Sequence, residues 1–210
     1  MAKIEAFENY FMEYEEWFEK NGFAYESELD AIRLLMPEFK KGLEVGIGTG
    51  RFAVPLNIKN GIEPSSKMRE IALKLGLNVI DGIAEKLPYK DSSFDMILMV
   101  TTICFVDDIN KAFKECYRVL QDNGTLLLGF VDRESFLGKI YEAHKDKSLF
   151  YKNATFYSTG QVVELLADSG FKNFNFSQTI FKGLKDITEK EPVRYGFGEG
   201  SFIVIKAEKE

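Results

Sequence analysis

Imidazole and thiol groups are scarce: the 210-residue chain has one histidine, His144, and two cysteines, Cys104 and Cys116. The cysteines form no CxxC pair and the histidine has no second one at ligand spacing. That argues against structural zinc, a disulfide framework and Cys-His or Ser-His nucleophilic chemistry. No metal is expected, and the thiols fit a reducing, cytoplasmic setting. An excess of basic residues is also missing. With 27 Lys and Arg against 33 Asp and Glu the formal net charge is −6, which disfavours broad electrostatic binding of DNA or RNA and suits a small or cationic ligand better. Long apolar runs are absent too. The opening MAKIEAFENYFMEYEEWF carries acids throughout, so neither a signal peptide nor a membrane span is expected, and no membrane partner. No repeat and no Pro-rich, Ser-rich or low-complexity tract divides the chain. Its 45% hydrophobic and 29% charged residues describe a globular unit long enough for a full core. No surface stripe decides an oligomeric state.

What is present begins with periodicity. Phe7, Tyr10, Phe11, Tyr14, Trp17 and Phe18 recur at steps of three and four with glutamates between them, which predicts an amphipathic helix. A second helix is expected to open at Ser27, with Asp30 as its capping partner, and to stop near Pro37. Short apolar runs then alternate with helical patterns, as in a parallel sheet with crossover helices. The expected strands are 43–47, 60–64, 77–81, 94–100 and 125–131, the last two apolar on both faces as covered strands must be. A helix with Ile109, Ala112, Phe113, Cys116, Tyr117 and Leu120 on one face is closed by DNG, where Gly124 can take a left-handed cap. Another starts at Ser158 with Gln161 as partner. The tail supplies two extended runs, FKNFNFSQTIF and GSFIVIKAEK, read as an antiparallel pair at the end of the sheet. Residues 132–157 interrupt the rhythm after the fifth strand, where extra material borders a ligand crevice in open α/β sheets.

The stretch GLEVGIGTGRF, residues 42–52, sets three glycines at alternate positions behind a strand. Bare main chain at such a turn lets a ligand lie against amides and a helix amino terminus. A dinucleotide loop needs GxGxxG or GxGxxA, yet Arg51 follows Gly50, and a carboxylate at Glu44 repels pyrophosphate while attracting an ammonium. A nicotinamide dehydrogenase is therefore disfavoured, and a P-loop is excluded because no Gly-Lys-Ser/Thr follows.

With the glycine loop, Glu63 closing the second strand, GIAEKLPYKDSSFDMILM and YRVLQDNGTLLLG in order over about residues 42–181, the chain resembles the class I S-adenosylmethionine-dependent methyltransferases. It is most similar to the small-molecule methylases typified by those of quinone biosynthesis. The resemblance implies a Rossmann-like α/β fold: a seven-stranded, mostly parallel sheet with an antiparallel strand near the C-terminus and helices on both faces. It implies S-adenosyl-L-methionine as cofactor and S-adenosyl-L-homocysteine as product. Glu44 would favour the methionine ammonium beside Gly46, Ile47 and Gly48, and Glu63 would accept from both ribose hydroxyls, a task suited to two acceptor oxygens. Pro64 and Met68 would flank the adenine, and Ile83, Ala84 and Glu85 its edge. Ile83 stands where the family often has a polar side chain, so that contact is missing. Val100, Thr101 and Thr102 would lie near the sulfur.

The same resemblance implies an N-terminal helical lid over residues 1–40, on a cofactor-binding domain over 41–210 that forms one structural unit with it. Tyr10, Tyr14, Trp17, Phe18 and Phe105 are expected in the acceptor pocket, with 132–157 nearby. A histidine that relatives carry a few residues after strand four cannot be carried over to Phe105, and His144 is read as a surface or packing residue. Cys104 lacks the preceding Pro of pyrimidine-C5 methylases, and no N/D-P-P-Y run follows strand four. A small-molecule acceptor, methylated on N, O or C by in-line displacement, is the expectation, with no catalytic residue assigned. A non-catalytic S-adenosylmethionine-binding regulatory protein is the alternative.

Overall fold

The structure, a computed structural model, describes residues 4–210; positions 1–3 of the expected lid lie outside the described residues. Five strands run parallel: β1 (Gly42–Val45), β2 (Asn60–Ile62), β3 (Asn78–Ile80), β4 (Phe94–Val100) and β5 (Leu120–Val131). Three more, β6 (Lys172–Thr179), β7 (Arg194–Tyr195) and β8 (Phe202–Glu208), join antiparallel, giving the order β3-β2-β1-β4-β5-β8-β6-β7. All seven expected strands form. The eighth, β7, is a two-residue pairing with Ser177 and Gln178, too short to leave a periodic pattern.

Both faces of the sheet are covered, which is why β4 reads as an apolar run: Met96, Ile97, Leu98 and Met99 are all buried. Alternation sends them to opposite sides. Ile97 and Met99 meet α5 (Ile109–Val119) and α7 (Thr159–Asp168) through Phe113, Cys116, Val162 and Leu166, while Met96 and Leu98 share the other core with Ile32. Helix starts follow capping chemistry. Ser65 opens α4 (Ser66–Lys74), Asp108 opens α5, and Ser158 with Gln161 forms a full capping box at α7. The left-handed residue in DNG is Asn123 (φ 62°), not Gly124. The chain passes from α5 straight into β5, leaving no helical C-cap for Gly124 to fill.

The N-terminal helices differ from the expected pair. The first breaks at Tyr10 into α1 (Glu5–Asn9) and α2 (Phe11–Lys20). The next, α3 (Gly22–Leu35), starts five residues before Ser27. Ser27 is buried inside α3; its hydroxyl donates to the Phe23 carbonyl at 2.6 Å and accepts the Glu191 amide at 2.9 Å, the back-bonding a mid-helix serine adopts. Ala24, Glu28, Ala31, Ile32 and Leu35 form the buried stripe of α3. This helix packs on the antiparallel side of the sheet, where the Ser177 hydroxyl donates to the Ala31 carbonyl at 2.8 Å. No helix among the described residues is long and apolar enough to cross a membrane.

Residues after β5 carry α6 (Phe136–His144) and two short 3-10 turns. The buried Asp132 anchors them: one oxygen accepts the Glu134 amide at 2.7 Å, the other the Thr159 amide at 3.0 Å and hydroxyl at 2.5 Å. Asp132→Ala strips three bonds from a buried site and is expected to lower the unfolding free energy by about 3 kcal/mol in chemical denaturation. The exposed Glu134→Ala should change it by less than about 0.5 kcal/mol.

Candidate functional site

The carboxyl ends of β1, β2 and β4 open into a cavity whose floor is the glycine turn. Gly46 (φ 74°) carries the chain out of β1, and the amides of Gly46 and Ile47 donate to the Ile62 carbonyl at 2.9 and 3.0 Å, so the turn is fastened to the end of β2. A side chain at Gly46 would strike the Thr102 hydroxyl, 2.5 Å from its Cβ position. Only glycine fits both the backbone angle and the space. The Gly48 amide donates to Glu63 Oε2 at 2.9 Å and the Ser65 amide to Oε1 at 2.8 Å. Burial raises the Glu63 carboxyl to about 7 against the pull of those two amides. Each of its oxygens keeps a second lone pair for a further donor.

Glu44 lies behind this floor, 2% exposed, and its Oε2 has no hydrogen-bond partner. Burial, and then the charge of Glu63, push it well above the ordinary carboxylate range, while the Ala53 amide acts the other way. Thr101, at the end of β4, has φ 50°, costly for a β-branched residue and typical of strained functional positions. Glu85 Oε1 takes the amides of Asp107 and Asp108 at 2.7 and 3.2 Å, so it also fixes the loop leading into α5.

Helices α1 and α2 are held over the cavity by two glutamates. Glu8 accepts the Ser66 amide and hydroxyl at the start of α4, and Glu15 accepts the Thr49 hydroxyl at 2.6 Å while pairing with Arg51. The residue that breaks the dinucleotide motif thus clamps α2 to the glycine turn. The Tyr14 hydroxyl comes within 3.1 Å of where a Gly48 Cβ would stand. Burial, then Glu44 and Glu63, push the Tyr14 phenol upward, keeping it protonated and able to donate.

A second cavity adjoins the first and shares Phe7, Tyr14, Thr101 and Phe105 with it. Its walls are aromatic. Phe7 and Phe105 meet edge to face at 4.8 Å, Tyr151 stacks on Phe105 at 6.0 Å, and Tyr141 stacks on Tyr151 at 5.1 Å. Among these rings sits Glu28, buried at 6% exposure, which no hydrogen bond or ion pair among the described residues engages. Burial raises its carboxyl to about 8. Burial, then the Glu28 charge, raise the Tyr141 phenol to about 12.

Eleven residues expected at the cofactor line the first cavity: Gly46, Gly48, Glu63, Pro64, Met68, Ile83, Ala84, Glu85, Val100, Thr101 and Thr102. Glu44 and Ile47 sit behind its wall. Tyr14, Trp17, Phe18 and Phe105 line the second cavity, whereas Tyr10 is exposed at the α1–α2 break. His144 is exposed, its Nδ1 2.9 Å from the Ile140 carbonyl, and lines neither cavity. Sequence reasoning missed Glu28, Phe7, Tyr141, Phe150 and Tyr151. The signal for Glu28 was a charge on the otherwise apolar stripe of α3.

Residues 43–128 match the family model of a methyltransferase domain. A crystal structure from Thermotoga maritima, described as an S-adenosylmethionine-dependent methyltransferase and possible histamine N-methyltransferase, is 55% identical. It superposes with a TM-score of 0.97 over 99% of this chain and 100% of that one. The chain belongs to the class I S-adenosylmethionine-dependent methyltransferases. It is similar, too, to an uncharacterized protein of Methanocaldococcus jannaschii, 46% identical over 98% of this chain and all of that one. Demethylmenaquinone methyltransferase of Thermotoga maritima is 30% identical over 63% of this chain and 70% of its own length. As a methyltransferase the protein uses S-adenosylmethionine and leaves S-adenosylhomocysteine. The residues present fit that molecule: Glu63 lines the first cavity as a two-oxygen acceptor, and Glu44, beside the lining Val45 and Gly46, keeps a buried carboxylate oxygen without a partner.

Carboxyls raised by burial hold protons in the folded chain that the unfolded chain gives up near pH 4.3. Stability from such a group is present at low pH and lost as pH rises to the folded value. For Glu28 the window runs from about pH 4.5 to about 8. Glu28→Gln is expected to melt above the wild type, with a gap that widens by up to about 1.4 kcal/mol per pH unit across that window and then levels off. Thermal unfolding at pH 5, 6.5 and 8 measures it; a gap constant with pH would refute the assignment.

Proposed function

We propose that the protein methylates a small-molecule acceptor held in the second cavity, using S-adenosylmethionine held in the first. The observation that carries this reading is the shared wall: Phe7, Tyr14, Thr101 and Phe105 line both cavities, so a donor in one and an acceptor in the other meet there. Glu63 would accept the ribose hydroxyls, and Glu44 the methionine ammonium, directly or through water. Pro64 and Met68 would cover the adenine, with Ile83, Ala84 and Glu85 at its edge, and Val100, Thr101 and Thr102 would border the sulfur.

When bound, S-adenosylmethionine supplies a methyl group already activated on a sulfonium with a neutral leaving group. The chain's own work is then to align and to exclude water. Positioning of this kind contributes roughly 7 to 11 kcal/mol to a bimolecular step. The residues before 41 act as a lid, with α1 and α2 clamped by Glu8 and Glu15, and residues 41–210 as the cofactor-binding domain. Their aromatic undersides keep water from the junction and add ring quadrupoles beside the cationic donor. No imidazole lines either cavity, so the reading needs no histidine base. The Thermotoga maritima relative's description as a possible histamine N-methyltransferase supports an acceptor of small size. Two cysteines that remain thiols fit a cytoplasmic enzyme.

Calorimetry with S-adenosylhomocysteine tests the donor half. Glu63→Ala should weaken binding by about 1 to 3 kcal/mol with an unchanged circular dichroism spectrum. Transfer of labelled methyl to a panel of small amines, phenols and carbon acids tests the other half. Full affinity in the variant would remove Glu63 from its role, and failure of the wild type to bind would remove the cavity.

A further inference from the structure

We infer that Glu28 selects the acceptor: its carboxylate receives the ammonium group of a small amine that also carries one aromatic or similarly flat ring. The inference rests on the second cavity being the acceptor site. It deepens that reading by naming the chemistry the cavity admits.

The position of Glu28 on α3 is a core position. Ala24, Ala31, Ile32 and Leu35 share its stripe and all are buried, and a leucine or methionine there would fill the gap at no electrostatic cost. A buried carboxylate without a partner is expensive. Here it borders an open space rather than packed side chains. The titratable groups that line the cavity with it are Glu13 and Tyr14 from α2, Tyr141 from α6, and Tyr151 from the turn after it. Among the described residues no lysine, arginine or histidine lines the cavity. The charge of Glu28 is felt at the Tyr141 and Tyr151 phenols, which places all three in one electrostatic neighbourhood. A carboxyl group that shares a cavity with phenols and phenyl rings, and with no cation among the described lining residues, favours a positively charged visitor through ion pairing and ring quadrupoles together. The cavity offers a carboxylate or phosphate acceptor no cationic partner among the described lining residues, and Glu13 adds like charge.

Size narrows the class. The cavity volume is about 150 Å³, and a hole of roughly that volume holds benzene. One ring therefore fits, with a short arm reaching the carboxylate.

Proton linkage supplies a readout independent of turnover. In the empty cavity the Glu28 carboxyl, raised to about 8, holds its proton at pH 7. An entering ammonium keeps all its own protons. The Glu28 O–H bond breaks, that proton goes to buffer, and the resulting carboxylate pairs with the ammonium.

The experiment is calorimetry on the full chain saturated with S-adenosylhomocysteine, using 2-phenylethylamine, 2-phenylethanol and 3-phenylpropionate as probes. The amine is expected to bind at least tenfold more tightly than the alcohol and the acid not at all. Amine affinity should rise about tenfold from pH 6 to 7, and buffers of different ionisation enthalpy should report close to one proton released at pH 7. In Glu28→Gln, the preference for amine over alcohol and the proton release should disappear while S-adenosylhomocysteine affinity stays unchanged. Equal binding of amine and alcohol by the wild type, or a preference that survives Glu28→Gln, overturns the inference and leaves the donor site standing. Loss of S-adenosylhomocysteine binding in the wild type overturns the donor site and the inference with it. If the variant fails to fold, the wild type's preference for the amine over the alcohol and the acid decides the matter.

Discussion

One carboxylate joins the two turns on which the first cavity is built. Glu63 closes β2 and takes the amide of Gly48 on one oxygen and that of Ser65 on the other. The glycine turn after β1 and the entrance to α4 are therefore set by a single side chain, and the Ile62 carbonyl beside it fixes the Gly46 and Ile47 amides. Glycine at 46 and 48 is the other half of the same constraint, because the backbone that reaches Glu63 is left-handed at both positions. Everything else at the site is referenced to this corner: Tyr14 descends onto Gly48, and Glu15 fastens its helix to Thr49 and Arg51.

The interior carries more carboxyl groups than a core chosen for stability alone. Glu44, Glu63 and Glu28 are all buried and all raised by that burial. Glu63 is compensated by amides, Glu44 in part, and Glu28 by nothing among the described residues. Such a series follows the stability–function trade-off, in which a fold keeps groups that weaken it because a ligand needs them. On the proposed reading, a cationic donor and a cationic acceptor would each supply a partner to one of the unpaired carboxyls and so add binding to the stability of the fold.

Legibility of the fold and site in the sequence tracks separation along the chain. The glycine turn with Glu44, and Glu63 with Pro64 and Met68, are short contiguous stretches, and their places at or beside the first cavity could be read from strand ends and spacing. The second cavity could not. Glu28 lies more than a hundred residues from Tyr141 and Tyr151, and the docking of α3 on β6 and β8 brings it near them. The break at Tyr10 was hidden because aromatic periodicity continues across it. Ser27 misled because a hydroxyl before an apolar stripe looks like a cap, whereas its partners are the Phe23 carbonyl and the distant Glu191 amide. Capping boxes, being local, were legible: Ser158 with Gln161 forms as expected.

The slot occupied by β8 has a kinetic consequence. This strand follows β6 in the chain yet lies between β5 and β6 in the sheet, and α3, from near the other end, rests against the same region. Until residues 202–208 arrive, β5 offers a bare rim to any extended peptide nearby, and α3 lacks half of its seat. Pairings this far apart in sequence form late. A chain without residues 202–208 therefore leaves β5 and β6 with no shared neighbour, so deletions that remove β8 expose the middle of the sheet rather than trimming its border.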